Sequence, residues 1–174
     1  MQTHDMLIQD LTDMLRVNQE RALNYNSSAY HCGDLQLKTL LHRELDNAWD
    51  TGIAIKRLLI DHFELPDTNS EDTGQVYSLW KDFSPSFGEG DLRVELQAFE
   101  MSDLLQLRCY ALLLSRPYLD VITKNLIEYF NENSKALYKS VKNFRENYTN
   151  LLNIAHSQYY SMNITQGTAS AVHY

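Results

Sequence analysis

Apolar residues recur along this chain at intervals of three and four, the spacing that lays one stripe along an α-helix. Between Asp5 and Tyr30 the stripe passes through Leu7, Leu11, Met14, Asn18, Ala22, Tyr25 and Ala29. Gly33 then stops it, and Asp34 is placed to cap the next helix. The second stripe runs through Leu37, Leu41, Leu45, Ala48, Gly52, Ile55 and Leu59, with Trp49 widening the face. Pro66 ends it by pushing the residue before it out of the α region. A third helix starts at an N-cap, Asp91, and follows Leu96, Phe99, Asp103, Leu107, Tyr110 and Leu114. A fourth, with Pro117 in its first turn, follows Ile122, Leu126, Tyr129, Asn133, Leu137, Val141, Phe144 and Tyr148. The pattern predicts helices over residues 5–31, 35–64, 91–115 and 117–150.

The breaks at Gly33 and Pro117 are short, so each joins its two helices into an antiparallel hairpin. The stretch 64–90 is different. LPDTNSEDTG and SPSFGEGD flank a short helical candidate from Gln75 to Phe83, where Trp80 and Phe83 would pin the chain to the outside of a bundle. A connection of that length can travel back along the molecule. Hairpin, crossover, hairpin predicts an all-α fold, a ferritin-like four-helix bundle over residues 1–156. An up-down-up-down bundle with a decorated loop is the alternative. The last stretch, 157–174, loses its periodicity and is expected to be a flexible or partner-docked tail.

Composition agrees. Six glycines and three prolines in 174 residues favour long helices over a turn-rich sheet. A formal charge of −8 repels phosphate backbones, so no nucleic-acid partner is expected. The densest cationic stretch, Lys135, Lys139, Lys142 and Arg145, reads as the solvated face of a helix. No run is apolar for the roughly 20 residues that cross a bilayer, so no membrane partner is expected. MQTHDMLIQDL reads as neither signal nor anchor. Cys32 and Cys109 are too few for a disulfide framework, which points to free thiols in a cytoplasmic compartment.

Polar residues interrupt the stripes near mid-helix: Asn18, Asp103 and Asn133 on the stripes themselves, Glu44 at the edge of the second, and Glu100 nearby. Antiparallel pairing across Gly33 sets residue 18 near residue 46, and pairing across Pro117 sets residue 103 near residue 130. The interruptions are therefore expected to share one layer. A bare carboxylate there costs several kcal/mol and must be paired, hydrated, protonated or bound to a cation. Metal ligation would need Glu-x-x-His pairs, and the sequence has none. His42 is two residues from Glu44, and His31 and His62 lie at helix ends. The leading expectation is a layer that fixes helix register, in which Asp103→Leu is neutral or stabilising. A metal site with Glu44, Glu100 and Asp103 as ligands and Asn18 and Asn133 as supporting donors is the alternative, with iron or manganese as the metal. A catalytic carboxylate with a raised pKa is a third reading. The tyrosines of the last helix and tail, Tyr129, Tyr138, Tyr148, Tyr159, Tyr160 and Tyr174, suit either a contact between copies or a cover for the core.

The segments LTDMLRVNQERALNY, GDLQLKTLLHRELDNAWDTGIAIKRLL and ELQAFEMSDLLQLRCYALL resemble a small bacterial ferritin-like family of unknown function, a likeness covering roughly Leu7 to Tyr148. The resemblance implies a ferritin-like bundle without an assigned reaction. The chain departs from that family in having fewer acidic residues in the third helix, and Tyr138 where members carry a His. Both departures weaken a metal site. The resulting expectation is a non-enzymatic, self-associating bundle, a homo-oligomer of the dimer type with no cofactor; an iron- or manganese-binding protein or di-metal oxidoreductase is the alternative.

Overall fold

The computed structural model describes residues 2–62, 74–81 and 91–169, with side chains described over 3–61, 74–81 and 91–158. Among the described residues the chain is all-helical, without strands: α1 (Gln2–His31), α2 (Leu35–His62), α3 (Gln75–Lys81), α4 (Leu92–Leu114) and α5 (Val121–Ala169).

The helix starts follow from side-chain chemistry. Asp34 Oδ1 accepts from the Leu37 amide at 2.8 Å, and Asp91 Oδ1 accepts from the Arg93 amide at 2.9 Å. Each carboxylate satisfies an N–H that the first turn leaves without a carbonyl partner. The fourth long rod begins at Val121, not at Pro117. Asp120 is its cap, accepting from the Thr123 amide at 2.9 Å and the Thr123 hydroxyl at 2.6 Å. The residues between Leu114 and Val121 form a short link with turns, tied to α1 where Asp10 accepts from Arg116 Nε at 2.9 Å and from the Tyr118 hydroxyl at 2.6 Å.

Two apolar clusters fix the helix directions. One joins Leu7, Leu11 and Met14 to Ile55 and Leu59, Tyr110 and Leu113, and Ile127 and Phe130. The other joins Tyr25 and Ala29 to Leu37 and Leu41, Leu96 and Phe99, and Val141. So α1 and α5 run one way, and α2 and α4 run the other. Between them in the chain, α3 packs on α1 and α4. Trp80 and Val76 are buried under it; Phe83, the other expected anchor, lies outside the described residues.

Why α3 docks there is visible on α1, which is buried continuously from Asp10 to Asn18. Its outer polar side is written for α3. Asp13 accepts from the backbone amides of Gly74 at 3.2 Å and Tyr77 at 3.0 Å, a carboxylate at a helix N-terminus. Glu20 accepts from Trp80 Nε1 at 2.6 Å and from the Tyr77 hydroxyl. Gly74 suits the closeness of this seat: a Cβ there would meet Asp13 Oδ2 at 2.5 Å, so Asp13 would have to shift.

The inward seams obey a stricter rule than a loose apolar stripe. One seam of buried positions runs 11, 14, 18, 21, 25 in α1; 37, 41, 44, 48, 51, 55 in α2; 96, 99, 103, 106, 110, 113 in α4; and 123, 127, 130, 134, 137, 141 in α5. Threes and fours alternate without slip, the heptad pattern of helices that wind around one another. This corrects the α5 face. Ile122 and Tyr129 are exposed and Asn133 is half-buried, while Thr123, Ile127, Phe130 and Ser134 point inward. Trp49 likewise stands outside the core, 60% exposed. The tail expectation changes too: the backbone of α5 stays helical through Ser157 to Ala169.

Candidate functional site

Between the two apolar clusters lies a layer of polar seam residues. α1 supplies Asn18, Arg21 and Tyr25; α2 supplies Glu44 and Thr51; α4 supplies Ser102, Asp103, Gln106 and Tyr110; α5 supplies Ser134, all of them buried. At its centre is Arg21, whose side chain is wholly inaccessible. One guanidinium nitrogen, Nη2, donates to Glu44 Oε2 at 3.1 Å and to Asp103 Oδ1 at 2.8 Å. Asp103 Oδ1 also accepts from the Tyr25 hydroxyl at 2.5 Å, and the Tyr25 ring lies 5.2 Å from the guanidinium carbon. The question raised by a carboxylate on an apolar stripe has its answer here: Asp103 faces a buried cation held by the opposite helix.

Charge arithmetic governs this cluster. Two carboxyls and one guanidinium would leave a net negative charge in a desolvated interior. Glu44 and Asp103 share one Arg21 nitrogen, a crowding that favours a proton on one of the two carboxyls. Burial, and then the neighbouring Asp103, push Glu44 well above the usual carboxylate range. Burial also raises Asp103, opposed by Arg21 and the Tyr25 hydroxyl. Asp103 has the shorter contacts and the extra donor, so Asp103 is the anion and Glu44 the acid. Burial works against the charge on Arg21, yet Tyr25, Asp103 and Glu44 outweigh it and raise its pKa further. Tyr25 is held un-ionised by burial and by Asp103.

A second network lies alongside. Gln106 Nε2 donates to Asn18 Oδ1 at 2.9 Å and to the Tyr110 hydroxyl at 3.0 Å, while Asn18 Nδ2 donates to the Met14 carbonyl at 2.8 Å. Tyr110 reaches Thr51 and Ser134, and Asn47 Nδ2 donates to Ser134 Oγ at 3.2 Å. All four long helices are thus cross-linked by directional bonds at one level, which penalises any slide along the seam.

Of the residues expected in the layer, Glu44, Asp103 and Asn18 are brought together. Glu100 is not. It lies at the α4–α5 surface, where it accepts from Arg145 Nε. Asn133 is not in the layer either; its neighbour Ser134 points inward, and it meets Tyr110 rather than the level of Asp103. The inward face of α5 lies one residue round from the expected stripe, and where a hairpin closing at Pro117 would set 103 beside 130, the structure sets Glu100 beside Arg145 and Tyr110 beside Ser134. His31 and His42 are exposed. Cys109 is buried under α3, its thiol 3.5 Å from the Val76 carbonyl, and burial pushes its pKa up to about 12. That is a core filler, not a nucleophile.

Arg21, Gln106, Ser102, Thr51 and Ser134 escaped the sequence reading. A signal for the first two was present: alternating threes and fours through Met14, Asn18 and Tyr25 selects position 21, and through Phe99, Asp103 and Tyr110 selects position 106. Apolar neighbours, Ala22 and Leu107, drew the stripe instead.

The donor set does not fit a metal. Among the described residues no group of three or more His, Cys, Asp or Glu is arranged to hold one. Glu44 Oε1 and Asp103 Oδ2 are buried without a hydrogen-bond partner, but a cation between these carboxyls would have to share its place with the Arg21 guanidinium. Comparison of the chain with protein-family models, curated proteins and solved structures finds no match.

Proposed function

We propose that the chain is a ferritin-like four-helix bundle that works by association, first of all with itself, and performs no metal chemistry. The order of directions supports the topology: two antiparallel hairpins whose inner helices, α2 and α4, run the same way, joined by a long return path. The observation that carries the functional reading is Arg21. A fixed internal cation holds the two mid-bundle carboxyls, which supports a lock on helix register over an open ligand shell. Among the described residues the layer holds no imidazole, and both carboxyls are buried against the Arg21 guanidinium.

Elemental analysis tests this. Protein loaded with iron, manganese or zinc salts and then desalted is expected to retain background metal only. Stoichiometric metal that is lost in Asp103→Ala would overturn the reading and restore the metal-binding alternative with Glu44 and Asp103 as ligands.

A further inference from the structure

The seam of α5 does not end where the bundle ends. Its alternating spacing continues from Val141 through Phe144 and Tyr148 to Leu151 and Ala155. Phe144 and Tyr148 still pack on the second apolar cluster. Leu151, the next seam position, is 65% exposed, and residues 153–158 are all exposed. The helix nonetheless goes on to Ala169, 49 residues against 30 in α1, or about 74 Å against about 45 Å.

Composition changes at the same place. Glu146 is the last Lys, Arg, Asp or Glu in the chain, so the whole formal charge of −8 sits on the bundle and none on the projecting segment. A helix surface meant for water carries charge at roughly a quarter to a third of its positions. This one carries none, and sets Leu151, Leu152, Ile154, Met162 and Ile164 among uncharged Asn, Ser, Thr and Gln.

We propose that α5 beyond Tyr148 is a dimerisation helix that pairs antiparallel with the same segment of a second copy of this chain. The inference deepens the association reading above by naming its partner and its surface. Three observations select the occupant. The exposed seam is a direct continuation of one that already packs helix on helix within the chain. A two-fold pair is self-complementary and closes after two copies. Bundles with like charge repel, and the uncharged segment is where two copies meet without bringing those charges together. Charge also sets the direction: an antiparallel pair puts the bundles at opposite ends, a parallel pair side by side.

The test is sedimentation equilibrium of the full chain, with Leu151→Lys and Ala155→Lys as exposed substitutions that leave the fold intact. Wild type is expected to sediment as a dimer. Each substitution should weaken dimerisation by about tenfold or more, the effect of some 1.4 kcal/mol, with unchanged thermal unfolding of the bundle. Direction is read from a nitroxide at Asn150→Cys in a Cys32→Ser background. An antiparallel pair centred on the projecting segment separates the two labels by about 30 Å, whereas labels near 10 Å, the spacing of adjacent helices, would refute that direction. A dimer indifferent to Leu151→Lys and Ala155→Lys but broken by Trp49→Lys would place the interface on the α1–α2 face and sink this inference while leaving self-association standing. A monomeric wild type would sink both.

Discussion

Replacing Arg21 with Met removes the cation from the middle of the bundle while keeping most of the side-chain volume. Both of its ion pairs are fully desolvated. Removing one partner of a buried pair leaves the other charge without compensation, a loss of about 3–5 kcal/mol. Here two carboxyls lose the same partner at once. They can relieve part of the penalty by taking up a second proton, which holds the expected loss within that range instead of doubling it. For a chain of this length the melting temperature should fall by about 6–20 °C. Urea unfolding followed by far-UV circular dichroism, with the slope checked for two-state behaviour, measures the loss directly. The decisive comparison is the triple variant Arg21→Met, Glu44→Met, Asp103→Leu. Apolar groups replace the whole cluster, so the desolvation cost disappears with the charges, and stability should return to the wild-type value or exceed it by about 1–4 kcal/mol. An Arg21→Met variant within about 0.5 kcal/mol of wild type, or a triple less stable than the single, would refute the account of the layer as a charge-balanced lock.

Asp103→Leu alone, neutral or stabilising for an isolated buried carboxylate, should instead cost about 3–5 kcal/mol by the same urea assay, because it strands Arg21 with only Glu44. The acid form of Glu44 has a pH signature. Its folded pKa is raised, so the native state keeps a proton that the unfolded chain releases. That contribution is complete below the ordinary carboxylate range and is lost as pH rises through the folded value. Melting temperature should therefore fall toward alkaline pH, and Glu44→Gln, which mimics the acid, should remove that part of the slope; an unchanged slope refutes the assignment. Glu20→Ala leaves Trp80 Nε1 and the Tyr77 hydroxyl without their acceptor and should cost about 1–3 kcal/mol. In a Trp49→Phe background the Trp80 emission should shift red as α3 loosens, and an unshifted spectrum would show that packing alone holds α3. Gly74→Ala drives a Cβ into Asp13 and should perturb the same fluorescence; an unperturbed spectrum would mean that Asp13 yields without loosening α3.

Much of the architecture was legible in the pattern of residues, because a helix that buries one face must repeat its apolar positions at the period of its own backbone. The long helices, the caps at Asp34 and Asp91, the tight turn at Gly33 and the short helix in the return path all follow from local chemistry that one strand of sequence carries by itself. The polar layer was half-legible. Asn18, Glu44 and Asp103 stood out as wrong residues in right positions, and their convergence follows from hairpin geometry. Arg21 did not stand out, because a long cation beside an Ala reads as solvated until its partners on other helices are known. Asn133 failed because the inward face of α5 lies one residue round, at Ser134, and Glu100 because it sits off the α4 seam beside Arg145. The sequence by itself determined where the rods lie and which face of each is inward to within one residue. Tertiary structure alone decided which polar groups meet, because a rotation of one residue or a slide of a few turns changes little in apolar burial and everything in the pairing of buried charges.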